Sequence, residues 1–276
     1  VTQVGEQSLN IARRGLLAAG YAESVPGVSL DRQCGSGQQA IAFAAQGVIA
    51  GAYDIVVGAG VESMSRVPMG SAAFGTDNLN GVAFDERYPE GLVGQGISAE
   101  LIAAKWGISR TEMDEFALRS HELAAAATKN GLFDNEIVPL AGLTTDEGIR
   151  VGSTLDTLAG LHPAYYDEAI AQRFPQIGWN VTAANASQIN DGSAAVLVMN
   201  EERARQLGLR PRARVHSFAV VGDDPLLMLT AIIPATRKVL ARAGLSLDDI
   251  DLFEVNEAFA SVPVAWLKDT KADPER

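Results

Sequence analysis

The only cysteine in the 276-residue sequence, Cys34, stands where a nucleophile could be activated. A short apolar run, Val28–Leu30, precedes it, and an Ala-rich segment follows in which apolar residues recur at helical spacing as far as Ala50. Gly51 would end that helix. We therefore predict that a strand leads into Cys34 and that a helix begins directly after it. The free N–H groups and the dipole of a helix N-terminus stabilise a thiolate, and they can also bind the oxyanion of an attached acyl group.

A buried structural thiol is the alternative for Cys34, because cysteine is among the most buried residue types. Its position in the sequence does not decide between these two roles. Gly35 and Gly37 favour the nucleophile, because glycine lets a substrate or another backbone approach closely. Glycines in these positions would also ease a tight turn.

The composition is that of a globular protein with a large core, since 47% of the residues are hydrophobic and 20% are charged. A formal net charge of −12 argues against nucleic acid or an anionic membrane as the main partner, although local Arg and Lys could still hold an anionic small molecule. One cysteine permits no intrachain disulfide and no cysteine-cluster metal site, and the three histidines show no ligand spacing. We therefore expect a cytoplasmic protein without a metal, a signal peptide or a membrane anchor.

Hydrophobic periodicity predicts alternating helices and strands, an order that is typical of a parallel α/β core. Asp54–Gly60 is a nearly continuous apolar run, as expected for a strand covered on both faces. Ser109 and Glu112 have the spacing of a capping box at the start of one long helix. Besides the helix from directly after Cys34 to Ala50, helices are predicted at residues 7–19, 95–106, 110–130, 201–207 and 227–243, and strands at 28–30, 54–60, 194–199, 214–221 and 250–255. A last helix should begin at Asn256.

The stretch from residue 64 interrupts this alternation. Turn-forming residues dominate 64–89, two helices follow, and 133–183 mixes short strands and loops. We therefore expect 64–185 to form an inserted domain that covers the site. The other parts would be an N-terminal half, 1–63 and 186–210, and a C-terminal half, 211–276.

A faint internal duplication relates the two halves. Leu16–Gly20, a strand and Cys34 at a helix start are echoed by Val239–Gly244, a strand and Asn256 at a helix start. In stacked pseudo-symmetric halves, Cys34 and Asn256 would occupy equivalent corners that face one pocket. Chance similarity between two Ala-rich units is the alternative.

Four motifs resemble those of the thiolases, that is, the acetyl-CoA acetyltransferases and 3-ketoacyl-CoA thiolases. They occur in the family's order and span almost the whole chain: Cys34–Gly37, Gly60–Ser65, Asn185–Gly192 and Val255–Ala260. Val1–Arg13 is also similar to the segment that precedes the nucleophile in thiolases, most of all in enzymes that shorten fatty or steroid-derived acyl chains. The resemblance implies an α/β fold with a layered αβαβα architecture, in which two pseudo-symmetric halves carry an inserted loop domain.

The resemblance also implies a reaction. Cys34 would attack the ketone of a 3-ketoacyl-CoA, release acetyl-CoA and form an acyl-enzyme, from which coenzyme A would take the shortened acyl group. The reverse direction is a Claisen condensation. Asn256 matches the family's asparagine that holds an oxyanion-hole water, and a helix N-cap is the alternative role for it. Glu257 is expected to be a structural partner.

Coenzyme A contacts follow from the resemblance position by position. The residues implied at the nucleotide are Arg150, Thr157, Leu158 and Tyr165, those implied at the pantetheine are Ala183 and Ser187, and Phe259 would wall the tunnel. The alternatives are core packing for Leu158 and Phe259 and a solvated surface charge for Arg150. Coenzyme A would be a substrate rather than a resident cofactor, and the resemblance implies a homodimer or homotetramer.

Two catalytic groups of the family have no match in this sequence: the histidine of a Gly-His-Pro motif and a second cysteine. His121, His162 and His216 all lie outside such a motif. We therefore expect that both ends of the family's chain are missing and that the sequence as given is inactive or nearly so. The rival hypothesis is a non-catalytic thiolase-like protein that binds acyl-CoA or serves as a structural subunit. A ketosynthase-type condensing enzyme fits less well, because the Asn-Glu-Ala-Phe motif and the long insertion are typical of thiolases.

Overall fold

The computed structural model describes all 276 residues, and the chain divides into two compact units. Unit 1 comprises residues 1–84 and 189–218, and unit 2 comprises residues 85–188 and 219–276. The division into an inserted domain and two halves stays a prediction.

Ten α-helices and two strands make up the regular structure. In chain order they are α1 (Ile11–Ala18), α2 (Ser36–Ile49), β1 (Ile55–Ser63), α3 (Val82–Arg87), α4 (Gln95–Trp106), α5 (Arg110–Lys129), α6 (Leu155–Ala159), α7 (Glu168–Arg173), β2 (Asp191–Met199), α8 (Glu201–Gln206), α9 (Ile232–Ala243) and α10 (Ser261–Thr270). Single 3₁₀ turns lie at Gly5–Gln7, Ser71–Ala73, Leu229–Ala231 and Leu247–Asp249. Not one of the helices combines the length and the apolar character that a membrane crossing requires.

Unit 1 is built on the antiparallel pair of strands β1 and β2, which stay in register over their whole length. Helix α2 packs on β1 where the strand has glycines instead of side chains. A Cβ atom added at Gly58 would lie 3.2 Å from the Cα of Ile41, and one added at Gly60 would lie 3.9 Å from the Cα of Gly37. The helix that follows Cys34 therefore lies directly on the strand, because no side chains separate them.

The N-terminal segment is tied to the end of β1 by one buried glutamine, Gln7. Its Nε2 donates a hydrogen bond of 2.7 Å to Glu62 Oε1, and its Oε1 accepts one of 2.7 Å from the backbone N–H of Ser63. Glu62 also accepts a hydrogen bond of 3.0 Å from the backbone N–H of Thr2. The segment expected to precede the nucleophile is thus fastened to the second motif, Gly60–Ser65.

The core of unit 2 forms around α4 and α10, which pack against each other. Ala99, Ile102 and Ala103 of α4 and Ala265 of α10 are almost fully buried. Small side chains at such a contact let two helix axes approach closely. At the start of α10, the hydroxyl of Ser261 donates a hydrogen bond of 3.0 Å to the backbone oxygen of Ala99. This bond fixes where α10 begins along α4.

The predicted helices in the middle of the chain are confirmed, and their ends have local causes. Helix α4 has the predicted bounds. Helix α5 begins behind a complete capping box, in which Ser109 Oγ accepts from the N–H of Glu112 at 3.1 Å and Glu112 Oε2 accepts from the N–H of Ser109 at 2.8 Å. Helix α2 ends at Ile49, and Gly51 after it has a φ of +72°, which glycine adopts without strain.

The predicted strands at residues 28–30, 214–221 and 250–255 are wrong for this structure, and so is the parallel core. All three segments are irregular and carry exposed apolar side chains such as Val28 and Leu252. A strand needs a neighbouring strand to take its backbone hydrogen bonds. Only β1 and β2 have such a neighbour, and they run antiparallel to each other.

Two further expectations about local structure are also wrong. Residues 133–183 contain the short helices α6 and α7 and one isolated bridge instead of short strands. The last helix begins at Ser261 rather than at Asn256, because Phe259 pairs with Ala186 in an antiparallel bridge that holds the preceding backbone out of a helix. Asn256 therefore lies in a loop, and neither Cys34 nor Asn256 follows a strand.

The close packing of α2 on β1 predicts an unequal response to two alanine substitutions. Gly58→Ala should lower the free energy of unfolding by about 1–3 kcal/mol, because the new methyl group would press on the backbone of α2 at Ile41. Urea unfolding followed by circular dichroism measures this change.

Gly60→Ala is the matched control, since Gly60 lies on the same face of the same strand and its added Cβ would meet Gly37 only at van der Waals distance. It should be neutral or stabilise by up to about 1 kcal/mol, because glycine in a strand costs conformational entropy. Equal losses in the two variants would contradict the packing described above.

Candidate active site

Cys34 is an exposed free thiol in a tight turn that opens directly into α2. Gln33 before it has a φ of +44°, in the left-handed region, and Gly35 after it is the N-cap of the helix. Two backbone hydrogen bonds close the turn, from the N–H of Gly35 to the oxygen of Arg32 at 3.1 Å and from the N–H of Ser36 to the oxygen of Gln33 at 3.0 Å. The thiol therefore stands in the position predicted for it, at the N-terminus of a helix.

The side chain of Ser36 stabilises this turn by hydrogen bonds, a role that the sequence did not indicate. Its side chain is buried. The hydroxyl donates to the oxygen of Gln33 at 2.7 Å and accepts from the N–H of Arg32 at 2.7 Å. One hydroxyl thus satisfies a backbone donor and a backbone acceptor of the two residues that precede Cys34, which the first turn of a helix cannot do by itself.

Arg32 is the second residue that sequence analysis missed. Its Nη1 donates a hydrogen bond of 2.8 Å to Gln39 Oε1, one turn along α2. A Cβ atom at Gly35 would lie 2.6 Å from Arg32 Nη2. The space left by Gly35 is therefore taken by a guanidinium group, which brings a fixed positive charge to the backbone of the cysteine turn.

Asp191 joins the second motif to the end of the third motif within unit 1. Its carboxylate accepts hydrogen bonds from the hydroxyls of Ser63 and Ser65 and from the N–H of Ser65 at 2.9 Å. These bonds, first of all that from the Ser65 side chain, hold the pKa of Asp191 below its ordinary value. The first three motifs thus meet in unit 1, since α2 lies on β1 and β1 is paired with the strand that Asp191 begins.

The start of the third motif lies against the fourth motif within unit 2. The N–H of Ser187 donates to the oxygen of Ala258 at 2.9 Å, and the N–H of Ala260 donates to the oxygen of Asn185 at 2.8 Å. Phe259, between them, is buried, and the ring of Tyr165 meets it edge to face with 5.9 Å between the centroids. Three of the residues implied at coenzyme A, Tyr165, Ser187 and Phe259, are therefore together.

The remaining residues implied at coenzyme A differ in their burial and in their contacts. Leu158 is buried and its backbone oxygen accepts from the guanidinium of Arg110, so core packing accounts for its side chain. Thr157 belongs to the capping box of α6. Arg150 is exposed, and its backbone N–H donates to His121 Nδ1 at 3.2 Å. Ala183 is also exposed.

Asn256 is exposed and precedes α10 by five residues, so the N-cap role considered for it is wrong. Its neighbour Glu257 accepts a hydrogen bond of 2.7 Å from the hydroxyl of Ser120 on α5. An open cleft of about 230 Å³ in unit 2 has Val255 and Glu257 on its wall. A second cleft of similar size lies beside Trp106. None of the residues implied at coenzyme A lines either of these two clefts.

Glu100 is a buried acid that sequence analysis also missed. Its side chain is fully buried in α4, and it accepts hydrogen bonds from the N–H of Asn180 at 2.9 Å and of Val181 at 2.7 Å. Burial raises the pKa of Glu100, and the two backbone hydrogen bonds and the nearby Arg110 oppose that rise. An acidic residue in the apolar sequence of α4 is the signal that could have identified it.

Comparison with known proteins identifies relatives over nearly the whole chain. The family model "Thiolase, N-terminal domain" matches residues 1–202, and "Thiolase, C-terminal domain" matches residues 209–276. The chain is 45% identical to Steroid 3-ketoacyl-CoA thiolase FadA6 of Mycobacterium tuberculosis and 42% identical to a 3-ketoacyl-CoA thiolase of Aliivibrio fischeri. These alignments cover 100% and 98% of the chain and 68% of each relative.

A solved structure shares the fold. The crystal structure of the acetyl-CoA acetyltransferase of Bacillus anthracis matches with a TM-score of 0.82 at 37% sequence identity. The match covers 99% of this chain and 71% of that one. The α/β fold class expected from the sequence motifs is thereby confirmed.

The raised pKa of Glu100 predicts how Glu100→Gln changes the pH dependence of stability. Because the pKa of Glu100 is higher in the folded than in the unfolded state, this side chain contributes stability that is fully present below the unfolded pKa near 4.5. The contribution is lost as the pH rises through the folded pKa. The free energy of unfolding of the wild type, relative to the variant, should therefore fall as the pH rises above about 4.5. Urea unfolding at a series of pH values measures the difference.

Asp191→Asn serves as the control, because the difference in the free energy of unfolding between the wild type and this variant should change with pH in the opposite direction. The pKa of Asp191 is lowered from its ordinary 3.8, so its contribution is present above that value and is lost as the pH falls. Parallel pH profiles for the two variants would contradict the assigned directions.

Proposed function

Because the chain belongs to the thiolase family, whose members are acyltransferases, we propose that it cleaves a 3-ketoacyl-CoA with coenzyme A, or runs the reverse condensation, through an acyl-Cys34 intermediate. The observation that carries this proposal is the exposed Cys34 thiol in the turn at the N-terminus of α2. A nucleophile needs access, and a thiol in a packed core would have none.

The reaction has two transfers. In the first, the Cys34 thiolate bonds to the C3 carbonyl carbon, the C2–C3 bond breaks, and its electron pair forms the enolate of acetyl-CoA, which takes up a proton. In the second, the sulfur of coenzyme A attacks the acyl-Cys34 thioester and releases the thiolate. The family resemblance gives the proton transfers to a histidine and a second cysteine, neither of which is among these 276 residues.

Asn256 would stabilise the enolate oxygen through a bound water. Its side chain is exposed in a loop and makes no hydrogen bond within the chain, so both of its polar groups are free for that role. Hydrogen-bond donors of this kind lower the barrier because they are in place before the charge develops.

The site for the coenzyme A part of the substrate would lie in unit 2. Tyr165, Ser187 and Phe259 already meet there, which suits the narrow pantetheine arm. The exposed guanidinium of Arg150 could pair with a phosphate, and a chain of net charge −12 needs such a local cation to bind an anion. Thr157, Leu158 and Ala183 complete the set that the resemblance implies.

The substrate, the assembly and the location belong to the same proposal. The resemblance of Val1–Arg13 favours degradation of a fatty or steroid-derived 3-ketoacyl-CoA, and one relative is named a steroid 3-ketoacyl-CoA thiolase. Self-association as a dimer or tetramer and a cytoplasmic location are expected from the family resemblance and from a catalytic thiol that must stay reduced.

A non-catalytic acyl-CoA-binding protein is the second candidate. It is favoured by one observation, which is that the single cysteine and the three histidines supply neither the Gly-His-Pro histidine nor a second cysteine. Binding without acyl transfer would distinguish it from the enzyme.

In a chain that also carries the family's Gly-His-Pro histidine and second cysteine, incubation with a 3-ketoacyl-CoA should add one acyl group to Cys34, because the exposed thiol is the proposed nucleophile. Intact-mass and peptide mass spectrometry measure the adduct, and Cys34→Ser should form no thioester.

Asn256→Ala should lower the rate of acyl transfer by about 10²–10³-fold, as the loss of an oxyanion-hole donor does.

Asn130→Ala is the matched control for Asn256→Ala, since Asn130 is an exposed asparagine at the end of α5. It should leave the rate unchanged. A chain with both of those groups that binds acyl-CoA but never acylates Cys34 would contradict the enzyme and support the second candidate.

A further inference from the structure

We propose that Asp114 and Asn185 form a buried positioning pair that holds the coenzyme A-binding segments of unit 2 in register and thereby sets the affinity for coenzyme A. This inference rests on the proposed function and adds to it two residues that do not touch the substrate. The pair would act through the backbone of the residues that do.

Asn185 uses all of its hydrogen-bonding groups inside the fold. It is buried, with 3% of its surface exposed. Its Nδ2 donates to Asp114 Oδ1 at 2.8 Å and to the backbone oxygen of Asn180 at 3.1 Å, and its Oδ1 accepts from the N–H of Thr182 at 2.8 Å. These hydrogen bonds therefore fix both the orientation of the Asn185 side chain and the course of the loop 180–185.

Asp114 connects this loop to the other coenzyme A-binding segment. Its second oxygen, Oδ2, accepts from Arg110 Nε at 2.7 Å. The same guanidinium donates to the backbone oxygens of Leu158 and Leu161 around the end of α6. One carboxylate thus links the segment that carries Thr157 with the segment that carries Ser187.

The link continues into the fourth motif through the backbone. The oxygen of Asn185 accepts from the N–H of Ala260, and the N–H of Ser187 donates to the oxygen of Ala258. Any displacement of Asn185 would therefore shift Ser187 and the buried ring of Phe259 together.

The chemistry of the pair favours a positioning role over a simple gain in stability. A buried carboxylate is costly to desolvate, and replacing a buried polar network with apolar residues is often neutral or stabilising. Asp114 is 3% exposed and has a cation on one side and an amide on the other, so each partner fixes one oxygen. What such a network supplies is a single arrangement of the three segments.

The experiment compares two single variants with the double variant in which the aspartate and the asparagine exchange positions. Asn185→Asp would place a carboxylate against Asp114, and Asp114→Asn would remove the charge that holds Arg110. The double variant Asp114→Asn/Asn185→Asp has the wild-type net charge, and it can restore the Arg110 contact, the contact between positions 114 and 185, and the acceptor for Thr182. The donor to the Asn180 oxygen is lost, and the Arg110 contact becomes a hydrogen bond to a neutral amide.

Two quantities are measured well below the unfolding temperature: the Kd for coenzyme A by calorimetry and the hydrogen exchange of the Ser187 and Ala260 amides. Each single variant should raise the Kd at least 10-fold and speed the exchange of both amides. The double variant should recover most of both. If Asn185→Asp does not fold, Asp114→Asn and the double variant alone carry the comparison.

Glu112→Gln is the control, since Glu112 caps the same helix, α5, but contacts neither loop. It should lower stability without changing the Kd or the exchange of Ser187 and Ala260. Single variants of Asp114 and Asn185 that behave like this control would overturn the proposal. A wild type that does not bind coenzyme A would overturn the proposed function instead, while the exchange data would still test the positioning of the two amides.

Discussion

The segment Asn185–Asp191 is held by a polar side chain at each end, and the motifs of the chain depend on it. At its start, Asn185 is fixed by Asp114 and in turn holds the backbone that leads into α10. At its end, Asp191 is fixed by Ser63, the last residue of β1, and by Ser65 just after it. The start of the segment therefore contacts the fourth motif within unit 2, and its end contacts the second motif within unit 1.

Two buried acidic residues of unit 2 contact the loop 180–185, which leads into this segment. Glu100 and Asp114 are both almost fully buried; Glu100 accepts two hydrogen bonds from backbone N–H groups of the loop 180–185, and Asp114 accepts one from the Asn185 side chain in that loop and one from Arg110 on α5. An acid that is buried without partners costs several kcal/mol, so each of these side chains tolerates only one course of the loop. The loop has no regular secondary structure of its own, and its shape is determined by the two acids on α4 and α5.

The sequence was sufficient for features with local causes and insufficient for those with distant ones. The capping box of α5 and the glycine after α2 involve residues within a few positions of each other, so their types and spacing predicted the helix ends. The strand expected before Cys34 needed a partner strand that no local pattern can supply. Asp114 and Asn185 are 71 positions apart, and in the sequence Asp114 looks like any acid near the start of a helix. The α/β fold class was recognised because the family motifs carry information that periodicity does not.

The same distinction separates the two residues of the candidate site. Every contact that shapes the turn of Cys34 lies between residues 31 and 39, including the buried hydroxyl of Ser36 and the guanidinium of Arg32. The turn of Cys34 is therefore determined by one short stretch, in which only the roles of Arg32 and Ser36 were not evident from the sequence. Asn256 has no such local frame, because its loop is held by Ser120, Asn185 and Ser187, which are distant in sequence. The turn of Cys34 is thus determined by its own motif, whereas the loop of Asn256 depends on long-range contacts that include Asn185.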